Sequence, residues 1–118
     1  MQTGIVGELL VTIRLFQYGI QAAPPLIDTG NDLIAIKGEI FRAIQVKATA
    51  REYLSFNSLP DLYHILALVK LEAKEEDFLL DESKVFLLSK DQVNKSCYAF
   101  GEMEQHKINQ ELVDRLFS

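Results

Sequence analysis

"NDLIAIKGEIFRAIQVKAT", residues 31 to 49, decides the fold. Two runs of β-forming residues flank Lys37-Gly38-Glu39, and a short glycine-containing connection between such runs predicts an antiparallel hairpin. Alternate side chains of a strand go to opposite faces, so Ile44, Val46 and Ala48 share one face while Gln45, Lys47 and Thr49 share the other. One face is apolar; the other meets water or carries chemistry. If residues 36 and 39 flank the turn, position 32 pairs near 43, and a slightly longer loop or one bulge brings it opposite 45. Either register sets Asp32 beside Gln45.

Outward from the hairpin the chain reads as helix, strands, helix. Upstream, Ile5, Leu9, Ile13 and Phe16 recur at helical spacing over residues 3 to about 18 and predict a first helix buried along that stripe. Thr3 is placed to cap it and Gly19 to end it, and Glu8 lies beside the stripe in the first turns. "IQAAPPLID", residues 20 to 28, opens as a short strand that Pro24 and Pro25 confine to an edge or a loop. Downstream, "AREYLSFNSLPD" reads as a polar loop. "LYHILALVKLE" reads as a strand in its central part, with a helical turn before Ile65 as the alternative. "KEEDFLLDES" is a charged turn region, and "KVFLLS", residues 84 to 89, is a further strand leading into a helical turn from Lys90. Ile108, Leu112 and Leu116 mark an amphipathic helix over roughly residues 102 to 117. No internal repeat or linker divides the chain, so residues 1 to 118 are expected to form one domain of the α/β (α+β) class, a central mixed sheet with the hairpin at its core and helices flanking it.

Composition bounds the function classes. With 118 residues, 48% of them hydrophobic, the chain can bury one core without a disulfide or metal staple. The longest apolar run, "ILALVKL", is too short for a bilayer and is broken by Lys70. "MQTGIVGELL" lacks a basic segment and reaches Glu8 at once, so no signal peptide is expected. Cys97 is the single cysteine, which excludes an internal disulfide and fits a reducing compartment, by default the cytoplasm. A net charge of −5 argues against a protein that coats nucleic acid by electrostatics alone, but a bound divalent metal can offset the carboxylates of an acidic enzyme.

Three places then stand out: Glu8 on the first helix, Asp32 at the opening of the hairpin, and Gln45 with Lys47 on its second strand. Two carboxylates and a side-chain amide are hard oxygen ligands, suited to Mg²⁺ or Mn²⁺ rather than zinc. The Val46 carbonyl, between Gln45 and Lys47, offers another oxygen. Lys47 is placed to orient or deprotonate an attacking water, or to stabilise charge developing on a phosphoryl oxygen. Thr49 and Arg51, just beyond it, are the better candidates for phosphate contact, ahead of Lys37 and Arg42. His64 and His106 have no partner at triad or metal spacing, and Cys97 reads as a small core or surface residue.

"GND" at Gly30 to Asp32, "IQVK" at Ile44 to Lys47 and the preceding helical Gly7-Glu8 pair together resemble the PD-(D/E)XK nuclease superfamily, with its restriction-endonuclease-like fold. Within it the chain is most similar to archaeal Holliday-junction resolvases and to group I intron-encoded endonucleases that carry Q-x-K. The likeness covers residues 4 to about 50. It implies an αβββαβ-type core and a divalent metal held by Asp32, Gln45 and the Val46 carbonyl. It also implies an acidic helix residue at Glu8, a catalytic lysine at Lys47, and hydrolysis of phosphodiesters in branched or double-stranded DNA. Asn31 stands where the family name has proline, and Gln45 where the usual acid stands. An amide removes one negative charge, and an attraction on the order of 4 kcal/mol per close pair at intermediate dielectric is forgone. Two functions follow as expectations: a metal-dependent DNA endonuclease working as a homodimer, and a non-catalytic nucleic-acid-binding or interaction module that keeps the fold. A structural domain with no nucleic-acid partner is the third.

Overall fold

The computed structural model describes residues 3–26, 30 and 32–118. Helix α1 (Thr3–Gln17) leads into strands β1 (Gln21–Ala23), β2 (Leu33–Lys37), β3 (Ile40–Thr49), β4 (Tyr53–Ser55) and β5 (Ile65–Lys70). Then come β6 (Ala73–Lys74), β7 (Asp77–Phe78), β8 (Lys84–Ser89), β9 (Cys97–Ala99) and a short helix α2 (Gln110–Leu116). Five strands make one mixed sheet in the order β1-β2-β3-β5-β8, in which only β3 and β5 run parallel. The α+β class and the central mixed sheet built on the hairpin are therefore as expected. Among the described residues no helix is long and apolar enough to cross a membrane.

The hairpin turns one residue later than a turn flanked by residues 36 and 39. Lys37 pairs with Ile40, leaving Gly38 and Glu39 as a two-residue turn. Gly38 has φ 62° and Glu39 does not share that sign, the pattern of a type II′ turn with glycine at its first central position. Leu33 then faces Ile44, the last β2–β3 pair, and Asp32 stands just before it. The Asp32 N–H donates to the Ile44 carbonyl at 3.2 Å, so Asp32 and Leu33 both lie against Ile44 at the strand end. Asn31, and the end of the predicted 20–28 segment, lie outside the described residues.

Both sheet faces are used, differently. On one face α1 and α2 bury Leu33, Ala35, Ile44, Val46, Ile65, Ala67, Val69, Val85 and Leu87. On the other, the β4–β9 ribbon and the segment around Phe100 and Met103 cover Leu66, Leu68, Phe86 and Leu88. β5 lies under both covers and is buried at every position. The second cover stops at β5, so among the described residues no such apolar cluster lies above the β1–β2–β3 part of that face.

Four expectations are corrected. The α1 stripe Ile5, Leu9, Ile13, Phe16 is exposed, while Gly7, Leu10, Val11 and Leu15 face the core. Both stripes have helical spacing, so periodicity could not choose between them. Gly7 decides, because a Cβ there would lie 2.6 Å from the Ala48 Cβ, and only glycine lets the helix sit so close to β3. Thr3 lies within the helix rather than capping it. The C-terminal helix starts at Gln110, not near 102, because residues 100–106 make two 3₁₀ turns and the Ile108 N–H donates to Val85 at the sheet edge. Asn109 then caps α2 by accepting from the Leu112 N–H at 2.8 Å. Finally, the crossover from β3 to β5 carries the short β4 instead of a helix, a departure from the αβββαβ order, and part of the predicted polar loop is thus strand.

Candidate functional site

The place where β2 begins beside the middle of β3 builds the site. Along β3 the Ile44 carbonyl accepts from Asp32 on the β2 side, whereas the Ala43 and Thr49 carbonyls accept from His64 and Leu71 on the β5 side. Backbone groups of even-numbered residues near the site therefore point toward β2. Val46 is the first such residue beyond the last β2 pair, so its N–H and carbonyl face the gap where β2 starts. Asp32 fills part of that gap: its Oδ2 accepts from the Val46 N–H at 2.9 Å and from the Gln45 Nε2 at 3.0 Å. The strand end thus gains a side-chain acceptor in place of a missing backbone partner.

The same contact fixes the Gln45 amide. Its nitrogen must face the Asp32 carboxylate, since the reverse orientation would set oxygen against oxygen. The other end, Oε1, is buried and has no hydrogen-bond partner among the described residues. Gln45 is 8% exposed, so an unpaired acceptor there carries the full cost of its lost hydration, about 1–3 kcal/mol. An unmet buried acceptor beside a carboxylate calls for a water or a cation to complete it.

Glu8 reaches the same region from α1. Its carboxyl is half-buried and held above the usual carboxylate range, first by burial and second by the negative charge of Asp32. The Gly7–Ala48 contact seats this turn of the helix against β3 and so brings the two carboxylates within electrostatic reach. Asp32 thus touches Gln45 and Val46 directly, and Glu8 lies within electrostatic reach of Asp32. Among the described residues no group of three or more His, Cys, Asp or Glu side chains is placed to hold a metal ion, so any cation here would need the amide or the carbonyl as well as the two acids.

Lys47 shares the Gln45 face of β3 two residues on and is half-buried. Among the described residues no carboxylate lies within ion-pair distance of it. Together with Thr49, Arg51 and Tyr53 it lines an open groove of about 440 Å³. The Thr49 Oγ1 accepts from the Arg51 N–H at 3.2 Å and shapes the turn that leaves β3. The two predicted phosphate contacts therefore lie in one groove with Lys47. Lys37 is paired at 3.5 Å with Asp114, and Arg42 is spent on the Leu116 and Ser118 carbonyls.

Two residues of this region escaped the sequence reading. Lys70 is 6% exposed, and its Nζ donates to the Ala50 carbonyl at 3.2 Å and to Glu72 at 3.1 Å, with Glu52 at 3.7 Å. It clamps the chain where β3 ends, beside Thr49 in the β3–β5 register. The signal was present: a lone lysine inside "ILALVKL" with an acid two residues later. Tyr53, on the groove rim and 64% exposed, carried no signal because its segment read as loop. His64 has a structural role, accepting from the Ala43 N–H at 2.8 Å, and Cys97 is exposed.

No family model matches the chain, and no curated protein matches it at a significant level. Among solved structures it is similar to the bacterial homing endonuclease I-Ssp6803I, at 16% identity and a TM-score of 0.59, over 92% of this chain and 81% of that one. The chain shares the fold of that endonuclease.

Proposed function

We propose that the protein is a metal-dependent DNA endonuclease of the PD-(D/E)XK type, acting on branched or double-stranded DNA as a homodimer with two sites. The observation that carries this is the buried, unpartnered Gln45 Oε1 held beside Asp32, at the strand end that Glu8 also approaches. The shared fold with a bacterial homing endonuclease supports the same reading. Mg²⁺ or Mn²⁺ fits the donor set, with Glu8, Asp32, Gln45 Oε1 and the Val46 carbonyl as its protein ligands. Bound there, the cation would supply Lewis-acid stabilisation of charge developing on the phosphoryl oxygens.

The remaining work falls to the chain's own groups. Asp32 keeps Gln45 in place through Nε2 and braces the Val46 amide, so the strand end is organised before substrate arrives. Lys47, with no ion-pair partner among the described residues, is free to orient the attacking water and to face negative charge on the phosphoryl group. Water forms a new P–O bond as the bond to the leaving oxygen breaks, and the water proton passes to solvent or to the leaving group. Thr49 and Arg51 hold the neighbouring phosphates in the groove. The local cations also answer the net charge of −5, which by itself repels DNA.

One observation favours a second reading. The Gln45 amide donates to Asp32 and adds no charge, which weakens a cation site relative to one with a third acid. A non-catalytic module that binds nucleic acid through the same groove would follow. Assay of linear, branched and single-stranded DNA with Mg²⁺ or Mn²⁺, beside Asp32→Ala and Lys47→Ala, separates the two. Cleavage lost in both variants supports the enzyme; metal binding that depends on Asp32 without any cleavage supports the module.

A further inference from the structure

Tyr53 has no part in the chemistry proposed above. Leu54, next to it on β4, is buried in the second apolar cluster, so the alternation of the strand turns Tyr53 and Ser55 outward. That outward side lines the groove shared with Lys47, Thr49 and Arg51. The ribbon beneath the ring is held: Tyr53 pairs with Ala99, the Phe100 N–H donates to the Glu52 carbonyl at 3.1 Å, and the Phe56 N–H donates to the Ser96 carbonyl at 3.0 Å. The ring is 64% exposed, and among the described residues no other ring and no cation lies against its face. None of the residues lining the groove is acidic. Among the described residues neither Lys47 nor Arg51 has a carboxylate within ion-pair distance.

We infer that Tyr53 is a stacking platform for an unpaired nucleobase, so that the groove selects DNA with an interrupted duplex, a fork, a gap or a free strand, over continuous duplex. This rests on the proposed DNA substrate and narrows it. The groove sets two chemistries side by side, cations without an acid and a bare aromatic face, and a nucleotide carries the complement of both, a phosphate and a planar ring. Continuous duplex meets only the cations. Its bases are stacked on one another and present edges in the grooves, which leaves the Tyr53 ring without a partner. Where pairing is already broken, a base reaches the ring at little unstacking cost while its phosphates stay on Lys47 and Arg51. The held backbone of β4 fixes the ring before the base arrives, so little ordering is left for binding to supply.

Fluorescence anisotropy of the full chain with labelled DNA tests this, without divalent metal so that no strand is cut. The wild type is expected to bind a forked duplex about 10- to 100-fold more tightly than a continuous duplex of the same sequence. Tyr53→Leu keeps an apolar side chain at an exposed position but removes the ring. It is expected to erase that preference while leaving the circular dichroism and the affinity for continuous duplex unchanged, and Tyr53→Trp is expected to keep the preference. A fluorescent base analogue placed as the unpaired base at the fork is expected to be quenched by the wild type and not by Tyr53→Leu. Equal affinity of the wild type for forked and continuous DNA, or a preference that survives in Tyr53→Leu, would overturn the inference, as would absence of binding to both. A free deoxynucleoside monophosphate that displaces the forked DNA at equal nucleotide concentration would assign the groove to a mononucleotide and overturn it equally. Cleavage of continuous duplex with Mg²⁺ by the wild type and by Tyr53→Leu reads the nuclease activity separately, so either reading can fail without the other.

Discussion

Two strand lysines on one sheet face have opposite fates. Lys70 on β5 is buried and clamped to Ala50, Glu72 and Glu52, whereas Lys47 on β3 is half-buried with no ion pair among the described residues. Both face the same side of the sheet, since Lys47 pairs with Leu68 and Thr49 with Lys70 in the parallel register. The difference lies in what covers them. Over β5 and β8 the face is roofed by the β4–β9 ribbon, and a charge there must be neutralised locally. At the end of β3 it opens into the groove, and a charge there stays available to a ligand. A polar residue in a strand is thus given its meaning by the neighbouring layer, not by its own strand.

Breaking the open half should have the largest effect. Asp32→Ala removes the acceptor of Val46 and Gln45 together and is expected to lower cleavage about 10³-fold or more, measured as initial rate on branched and duplex DNA with Mg²⁺. Lys47→Met should lower it by about 10²–10³-fold while leaving the urea midpoint within error, because no ion pair among the described residues is lost. Lys70→Met sharpens the contrast from the covered half. Its acids are mostly exposed and can rehydrate, so the stability loss is expected to be only about 1–2 kcal/mol, in urea melts, with metal binding retained.

A smaller effect tests how α1 serves the site. Gly7→Ala drives a Cβ toward Ala48 at 2.6 Å and should cost about 1–3 kcal/mol, against the roughly 0.5–1 kcal/mol gained in helix propensity. The smallest prediction concerns pH. Glu8 is raised above its ordinary value of 4.5 in the fold, so the folded chain holds the proton more tightly than the unfolded one. Its contribution is fully present below about pH 4.5 and is lost as pH rises through the elevated folded value. Glu8→Gln should therefore raise the urea midpoint slightly at pH 7 and leave it unchanged relative to wild type near pH 4.

The hairpin was legible because turn glycine, β-formers and alternation all agree in residues 31 to 49, and the adjacency of Asp32 and Gln45 followed from either register. The orientation of α1 was not. The helix carries apolar residues on two sides, and the choice depends on Gly7 meeting Ala48, a contact across the fold that periodicity does not encode. The late start of α2 was hidden for a related reason: the 102–109 stretch has helical composition, yet Lys107 bridges to Phe86 and Ile108 bonds to Val85, so the sheet edge outcompetes the helix. Lys70 was visible as a break in an apolar run, but its partners come from Ala50, Glu52 and Glu72, and only the fold assembles them. For the site, residue types and order were legible. The unmet Gln45 Oε1 was not, since hydrogen-bond satisfaction belongs to geometry.

The central claim is that the open strand end holds a divalent cation, and calorimetric titration of Mn²⁺ tests it directly. The account predicts saturable binding at one site per chain in the wild type, retained in Lys47→Met and Lys70→Met and lost in Asp32→Ala. Absence of saturable heat in the wild type, or equal binding by Asp32→Ala, would contradict it.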